Sequence, residues 1–164
     1  MNNNDRLIRL RYALDFTNTE MVVIFKLGGI EVTKEEVPQL LTKSTEDNED
    51  EVQMKCTNRM LDAFLNGLII YKRGKQDPKP GQPEGPAATD LTNDNVNNIL
   101  LKKVKIALAL TSEDMLEILE EAGVTISKGE LSAVLRREGH KNYKPCLDRY
   151  ARNFLKGLAI KYRA

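Results

Sequence analysis

Residues 16–37 read Phe-Thr-Asn-Thr-Glu-Met-Val-Val-Ile-Phe-Lys-Leu-Gly-Gly-Ile-Glu-Val-Thr-Lys-Glu-Glu-Val, and residues 110–131 read Leu-Thr-Ser-Glu-Asp-Met-Leu-Glu-Ile-Leu-Glu-Glu-Ala-Gly-Val-Thr-Ile-Ser-Lys-Gly-Glu-Leu. Each stretch spells a helix with both of its ends and the start of the next helix. Thr17 precedes Glu20 by three residues, as Thr111 precedes Asp114. In such a capping box the hydroxyl accepts from a free amide of the first turn and the acid reaches back to the cap residue. Phe16 with Met21, and Leu110 with Met115, add the flanking hydrophobic staple. Gly29 and Gly123 fit the left-handed position after a helix, where a Cβ is costly. Ile30 then meets Phe25, and Val124 meets Leu119, as a Schellman ending expects. A second box follows at once, Thr33 with Glu36 and Ser127 with Glu130, with staples Val32/Val37 and Ile126/Leu131. The β-like tetrad Val22-Val23-Ile24-Phe25 lies inside a capped helix, and no strand pattern of any length occurs.

The two stretches belong to two copies of one unit. Shifted by 94 residues, Asn3 to Leu41 overlays Asn97 to Leu135 with 12 identities in 39 positions, among them Asn3/Asn97, Asn4/Asn98, Leu14/Leu108, Ile24/Ile118 and Gly29/Gly123. Shifted by 90, Cys56 to Arg73 overlays Cys146 to Arg163 with eight identities in 18, including Cys56/Cys146, Phe64/Phe154, Gly67/Gly157, Leu68/Leu158 and Arg73/Arg163. Ungapped identity at this density marks a tandem duplication. The first copy holds four extra residues in an acidic loop, Ser44-Thr-Glu-Asp-Asn-Glu-Asp-Glu51.

Outward from the capped hairpins, apolar spacing predicts a first helix over about Asn4–Asp15 and Asp94–Ala109. It predicts a fourth over about Thr57–Arg73 and Leu147–Tyr162, stopped in the first copy by Gly74. Residues 75–93 carry Pro78, Pro80, Pro83 and Pro86 with Gly81 and Gly85, and almost no apolar side chain. They read as an extended, solvated linker, with a Pro-rich docking motif as the other reading. The expected architecture is all-α: a first helical repeat at 1–74, the linker at 75–93 and a second repeat at 94–164. A lone repeat of about 70 residues is marginal, since a core that small supplies only about 3–5 kcal/mol. The two are therefore expected to pack about a pseudo-twofold axis and merge their apolar faces. Leu14, Ile24, Phe64, Leu68, Leu108, Ile118, Phe154 and Leu158 are expected in that core.

Hydrophobic residues make up 41% of the 164 and charged residues 30%, enough for a packed core. There is no apolar run of membrane-spanning length and no signal-peptide pattern at the start, so the expected location is the cytoplasm. Net charge is +1, but it is unevenly distributed. Residues 1–76 carry 11 basic and 12 acidic side chains, a net −1, whereas residues 96–164 carry 13 basic and eight acidic, a net +5. An anionic partner, if there is one, is expected on the second repeat. The side chains for it are Lys102, Lys103 and Lys105 on helix one, Arg136, Arg137, Lys141 and Lys144 around the loop after helix three, and Arg149, Arg152 and Lys156 on helix four. Met115 to Arg137 resembles a helix-turn-helix in outline. The spacing after Gly123 is about two residues too long for it, however, and Pro38 interrupts the equivalent helix of the first copy, so a plain αα-hairpin is the other reading.

Other chemistry has little support. The strings Phe64-Leu-Asn-Gly67-Leu68 and Phe154-Leu-Lys-Gly157-Leu158 put a glycine inside a helix at a cost of about 1 kcal/mol. Close helix approach explains it, as would a notch for a ligand. Cys56 and Cys146 lack any CxxC or Cys/His grouping, so no zinc signature exists and both read as small buried hydrophobes, with a redox-sensitive or metal-touching thiol as the other reading. His140 stands alone in a loop with no evident partner for general-base work. No phosphate-binding loop, nucleophile elbow or HExxH motif occurs, and no catalytic residue, metal or cofactor is indicated.

Taken together, Asn3-Asn4-Asp5, Arg11-Tyr-Ala-Leu14, Phe64-Leu-Asn-Gly-Leu68 with Lys72-Arg73-Gly74, Lys102-Lys-Val-Lys-Ile-Ala107 and His140-Lys-Asn-Tyr143 before Cys146 resemble the YehS-like family of bacterial proteins. The resemblance spans both repeats. It implies a bacterial origin and a duplicated domain, and it transfers no catalytic or binding residue. The function best matched to these readings is a non-enzymatic binding or regulatory module acting through protein or nucleic-acid contacts. The alternative is an enzyme or small-ligand binder using the seam between the repeats.

Overall fold

The structure, a computed structural model, describes residues 1–42, 54–74 and 89–163. The acidic insertion at 44–51 and linker residues 75–88 lie outside them. Among the described residues the regular structure is entirely helical: α1 (Asn3–Leu14), α2 (Asn18–Leu27), α3 (Glu36–Leu40), α4 (Asn58–Arg73), α5 (Val96–Ala107), α6 (Ser112–Glu121), α7 (Lys128–Leu135) and α8 (Asp148–Arg163). The same four-helix order therefore runs twice. None of these helices is long and apolar enough to cross a membrane.

The local signals hold in atomic detail except at Ser127, whose hydroxyl accepts from the Glu130 amide at 3.1 Å without a return bond from the Glu130 carboxylate among the described residues. Both Thr17/Glu20 and Thr111/Asp114 form reciprocal capping boxes. Gly29 has φ +96° and Gly123 +88°. The Ile30 amide donates to the Phe25 carbonyl at 3.0 Å and the Val124 amide to that of Leu119 at 2.9 Å, the long bond of a Schellman motif. Helix three differs between copies. Thr33 and Glu36 bond to each other as expected, but α3 has only five residues against eight in α7. Pro38 sits in its first turn, where a missing N–H is tolerated. At the ends of α1 and α5 the left-handed position falls on Asp15 (φ +54°) and Ala109 (φ +53°). Aspartate adopts this conformation readily, but alanine does so only at a cost of about 1–2 kcal/mol. Ala109→Gly should therefore raise stability by about 0.5–1 kcal/mol, measured as a higher urea midpoint at unchanged slope.

Tertiary packing crosses the repeats. α1 lies chiefly against α8, and α5 chiefly against α4, while α2 covers α4 and α6 covers α8. The Arg73 guanidinium donates to the Ile106 carbonyl at 3.2 Å, and Arg163 to the Tyr12 carbonyl at 2.9 Å. These are equivalent positions under the two shifts, so each repeat's last helix caps the first helix of the other, as pseudo-twofold symmetry requires. One continuous core results. Ile24, Phe64, Leu68, Ile118, Phe154 and Leu158 are fully buried, while Leu14 and Leu108 are half-buried against the core. The last linker residues depart from a solvated reading: Leu91 is buried, its carbonyl accepts from Asn58 Nδ2 at 2.9 Å, and the Thr89 amide donates to Asp62. A Cβ on Gly67 would overlap the Ile24 carbonyl oxygen, and one on Gly157 the Ile118 carbonyl oxygen. Close approach of α4 to α2, and of α8 to α6, is therefore what these mid-helix glycines serve.

Candidate functional site

Two buried asparagines hold the repeats' loop ends in place. Asn4 Nδ2 donates to the Leu40 and Met54 carbonyls at 2.9 and 2.7 Å, and Asn4 Oδ1 accepts from the Cys56 amide at 3.0 Å. Asn98 repeats the pattern with the Val134 and Lys144 carbonyls at 2.9 and 2.8 Å and the Cys146 amide at 2.8 Å. Composition did not single these side chains out. Their identity between the copies, side by side with Asn3 and Asn97, was the available signal.

Above Asn4 a cleft of about 630 Å³ opens at the seam, with Asn3, Arg6, Asn58 and Asp148 in its wall. Its polar groups are engaged with one another. Arg6 donates to Asn97 Oδ1 and Asn3 Oδ1, both at 2.9 Å, and to Asp148 at 3.2 Å. The Met1 ammonium also donates to Asp148, at 3.1 Å. The Asn97 amide, with the Met1 ammonium and Arg6, holds the Asp148 carboxyl below the usual aspartate range. Burial draws the Arg6 guanidinium down, and Asp148 opposes this. Cys56 contributes to the wall as well, but burial pushes its thiol up to about 12, and the Cys146 thiol likewise. At neutral pH neither is a thiolate, the form that attacks or binds metal. His140 is exposed, and its Nδ1 accepts from the Asn142 amide in a local turn. Among the described residues no three His, Cys, Asp or Glu side chains are grouped to hold a metal ion.

The ten cations expected to meet an anion are not equivalent. Lys103 must be withdrawn. It is buried between α4 and α5, where its ammonium pairs with Asp62 and donates to Asn66 Oδ1 at 2.7 Å. Burial lowers its pKa while Asp62 pulls the other way. The periodicity of α5 concealed this, because only the partner helix brings a carboxylate to that face. Lys102, Lys105 and Arg136 are half-exposed, and Arg137, Lys141, Lys144, Arg149, Arg152 and Lys156 are exposed. None of these nine side chains forms an ion pair or hydrogen bond among the described residues. On α8, Arg149, Arg152 and Lys156 follow the i, i+3, i+7 spacing of one helix face. The α7 surface is different: Lys128 is bonded to Glu113, and Glu130 stands two residues on. That face lacks the positive charge a helix needs to enter a major groove.

Comparison with known proteins agrees with this architecture. The family described as "Protein of unknown function (DUF1456)" matches residues 3–74 and again residues 97–164. The uncharacterized protein YehS of Escherichia coli (strain K12) is 38% identical over 162 residues, covering 98% of this chain and 96% of that protein. No solved structure matches. Two full copies of the helical unit, each recognised separately, place the chain in the DUF1456 family of proteins of unknown function.

Proposed function

We propose that this chain is a non-enzymatic binding module that engages a nucleic acid through the basic side of its second repeat. The observation that carries the reading is the separation of charge on α5–α8. Five of the eight acidic side chains of residues 96–164 sit on α6, namely Glu113, Asp114, Glu117, Glu120 and Glu121. Of the nine cations without an ion pair or hydrogen bond among the described residues, seven lie on α8 and in the connection that leads to it, and two, Lys102 and Lys105, lie on α5. A polyphosphate chain gains from such a surface by releasing its condensed counterions. The seam cleft offers no comparable argument for catalysis, since its Arg6, Asp148 and asparagines are bonded to one another and the Cys56 thiol is protonated.

The test is fluorescence anisotropy with labelled mixed-sequence DNA and RNA, single- and double-stranded, at 50 and 200 mM salt. With four phosphates contacted on a single strand, affinity should fall roughly 50-fold between the two salts. A complete lack of binding at the lower salt would remove nucleic acid as the partner.

A further inference from the structure

The pseudo-twofold axis relates two seams that are built alike and charged differently. At α4–α5, Lys103 meets Asp62 and Asn66 in a buried cluster. The shifts of 94 and 90 residues that align the repeats carry Lys103 onto Arg9, Asp62 onto Arg152 and Asn66 onto Lys156. The register of α1 on α8 is independently pinned at both ends. Arg6 is bonded to Asp148 at one end, and Arg163 to the Tyr12 carbonyl and Asp15 at the other. Arg9 therefore stands between these ties, opposite Arg152 and Lys156. Where one seam holds a neutralised pair, the other holds three cations, none of which has an ion pair or hydrogen bond among the described residues.

The two seams also differ in cover. Residues 89–91 cross the first, with the Thr89 amide on Asp62 and the Leu91 carbonyl on Asn58, so Asp62 and Asn66 are buried. At the second, Arg152 and Lys156 are exposed. Among the described residues, a chain segment thus lies along one seam, while its counterpart carries the half-exposed Arg9 and the exposed Arg152 and Lys156. Arg152 and Lys156 stand one helical turn apart along it, about 6 Å at 1.5 Å per residue. Tyr12 lies in the same seam, 57% exposed, with the Arg163 guanidinium stacked 4.2 Å from its ring centre. Cations beside a supported aromatic ring suit a phosphate backbone with bases to stack, more than a carboxylate-bearing peptide.

We infer that the α1–α8 seam is a binding site for a single-stranded nucleic acid, with Arg9, Arg152 and Lys156 contacting successive phosphates and Tyr12 stacking on a base. This rests on the nucleic-acid reading above and adds the place and the strandedness.

The experiment uses the full chain and a fluorescein-labelled 20-nucleotide single strand, as DNA and as RNA, over a salt series. Two triple variants remove equal charge: Arg9→Gln/Arg152→Gln/Lys156→Gln at the seam and Arg137→Gln/Lys141→Gln/Lys144→Gln in the loop. None of the six side chains forms an ion pair or hydrogen bond among the described residues, and circular dichroism checks that both variants fold. The seam triple should bind at least tenfold more weakly and lower the salt slope by about 2. The loop triple should lose under threefold, and Tyr12→Ala should lose at least fivefold. Equal losses in the two triples, a larger loss in the loop triple, or tighter binding to a duplex would overturn the seam assignment and leave a nucleic-acid function standing. Competition by polyglutamate as effective as by unlabelled strand would point to an acidic protein partner and overturn both, as would no binding by the wild type at 50 mM salt.

Discussion

Gly67→Ala is expected to cost about 3 kcal/mol or more, and Gly157→Ala a similar amount. The added methyl group would meet the Ile24 carbonyl oxygen in one case and that of Ile118 in the other. Both obstacles are backbone, so no rotamer change relieves them and whole helices must separate. For a chain of this length that destabilisation corresponds to a fall of roughly 6–12 °C in melting temperature. Gly129→Ala is the matched contrast. Gly129 is exposed in α7, and the nearest atom to its would-be Cβ is Ser127 Oγ at 3.8 Å. Only helix propensity is then at stake, so this alanine should stabilise by about 0.5–1 kcal/mol. Differential scanning calorimetry of the three variants reads the effect directly. A neutral result for Gly67→Ala would mean that α2 and α4 do not pack backbone to backbone.

The second large effect is expected at the buried asparagines. Asn98→Ala removes two donors and one acceptor at once and leaves the Val134 and Lys144 carbonyls and the Cys146 amide without these bonds. An orphaned buried polar group costs about 1–3 kcal/mol, so three together should cost about 3 kcal/mol or more. Asn4→Ala should behave alike, because Asn4 makes the same three kinds of bond to Leu40, Met54 and Cys56. Asn98→Asp retains the acceptor for the Cys146 amide but turns a carboxylate oxygen toward two carbonyls, so it should not rescue the alanine loss. Urea denaturation gives the magnitude. Hydrogen exchange gives the location, with the Cys146 amide protected in the wild type and fast in Asn98→Ala. An unchanged exchange rate there would show that the amide relies on another partner.

The two sites show different degrees of legibility in the sequence. Gly67 and Gly157 stood out because a glycine inside a helix contradicts local propensity, so a packing cause could be read before the partner helix was known. Asn4 and Asn98 gave a weaker sign, since asparagine near a helix start is explained equally well by local capping. Their reach to residues about 36–52 positions away appears only in three dimensions. The basic surface was legible as net charge, but not as a site. Lys103 and Arg152 look alike in sequence, yet one is buried against Asp62 and the other is exposed. Arg9 belongs to a near-neutral first repeat, and only the packing of α1 on α8 gives its charge a place.

The sequence by itself determined the helices, their ends and the duplication, because capping boxes, Schellman glycines and 3.6-residue periodicity are interactions between near neighbours in the chain. The tertiary structure decided which helices pair. α1 seeks α8 and α4 seeks α5, across the repeats. Apolar faces of similar shape recur in both copies, so each could in principle pack within its own repeat or against the other. Hydrophobic burial is non-directional, and the choice between those pairings falls to contacts made only after the chain has folded back: Arg73 on Ile106, Arg163 on Tyr12, and Lys103 on Asp62. The same choice sets Arg9 of α1 on the seam with Arg152 and Lys156 of α8, none of the three in an ion pair among the described residues, a charge cluster that no local pattern encodes.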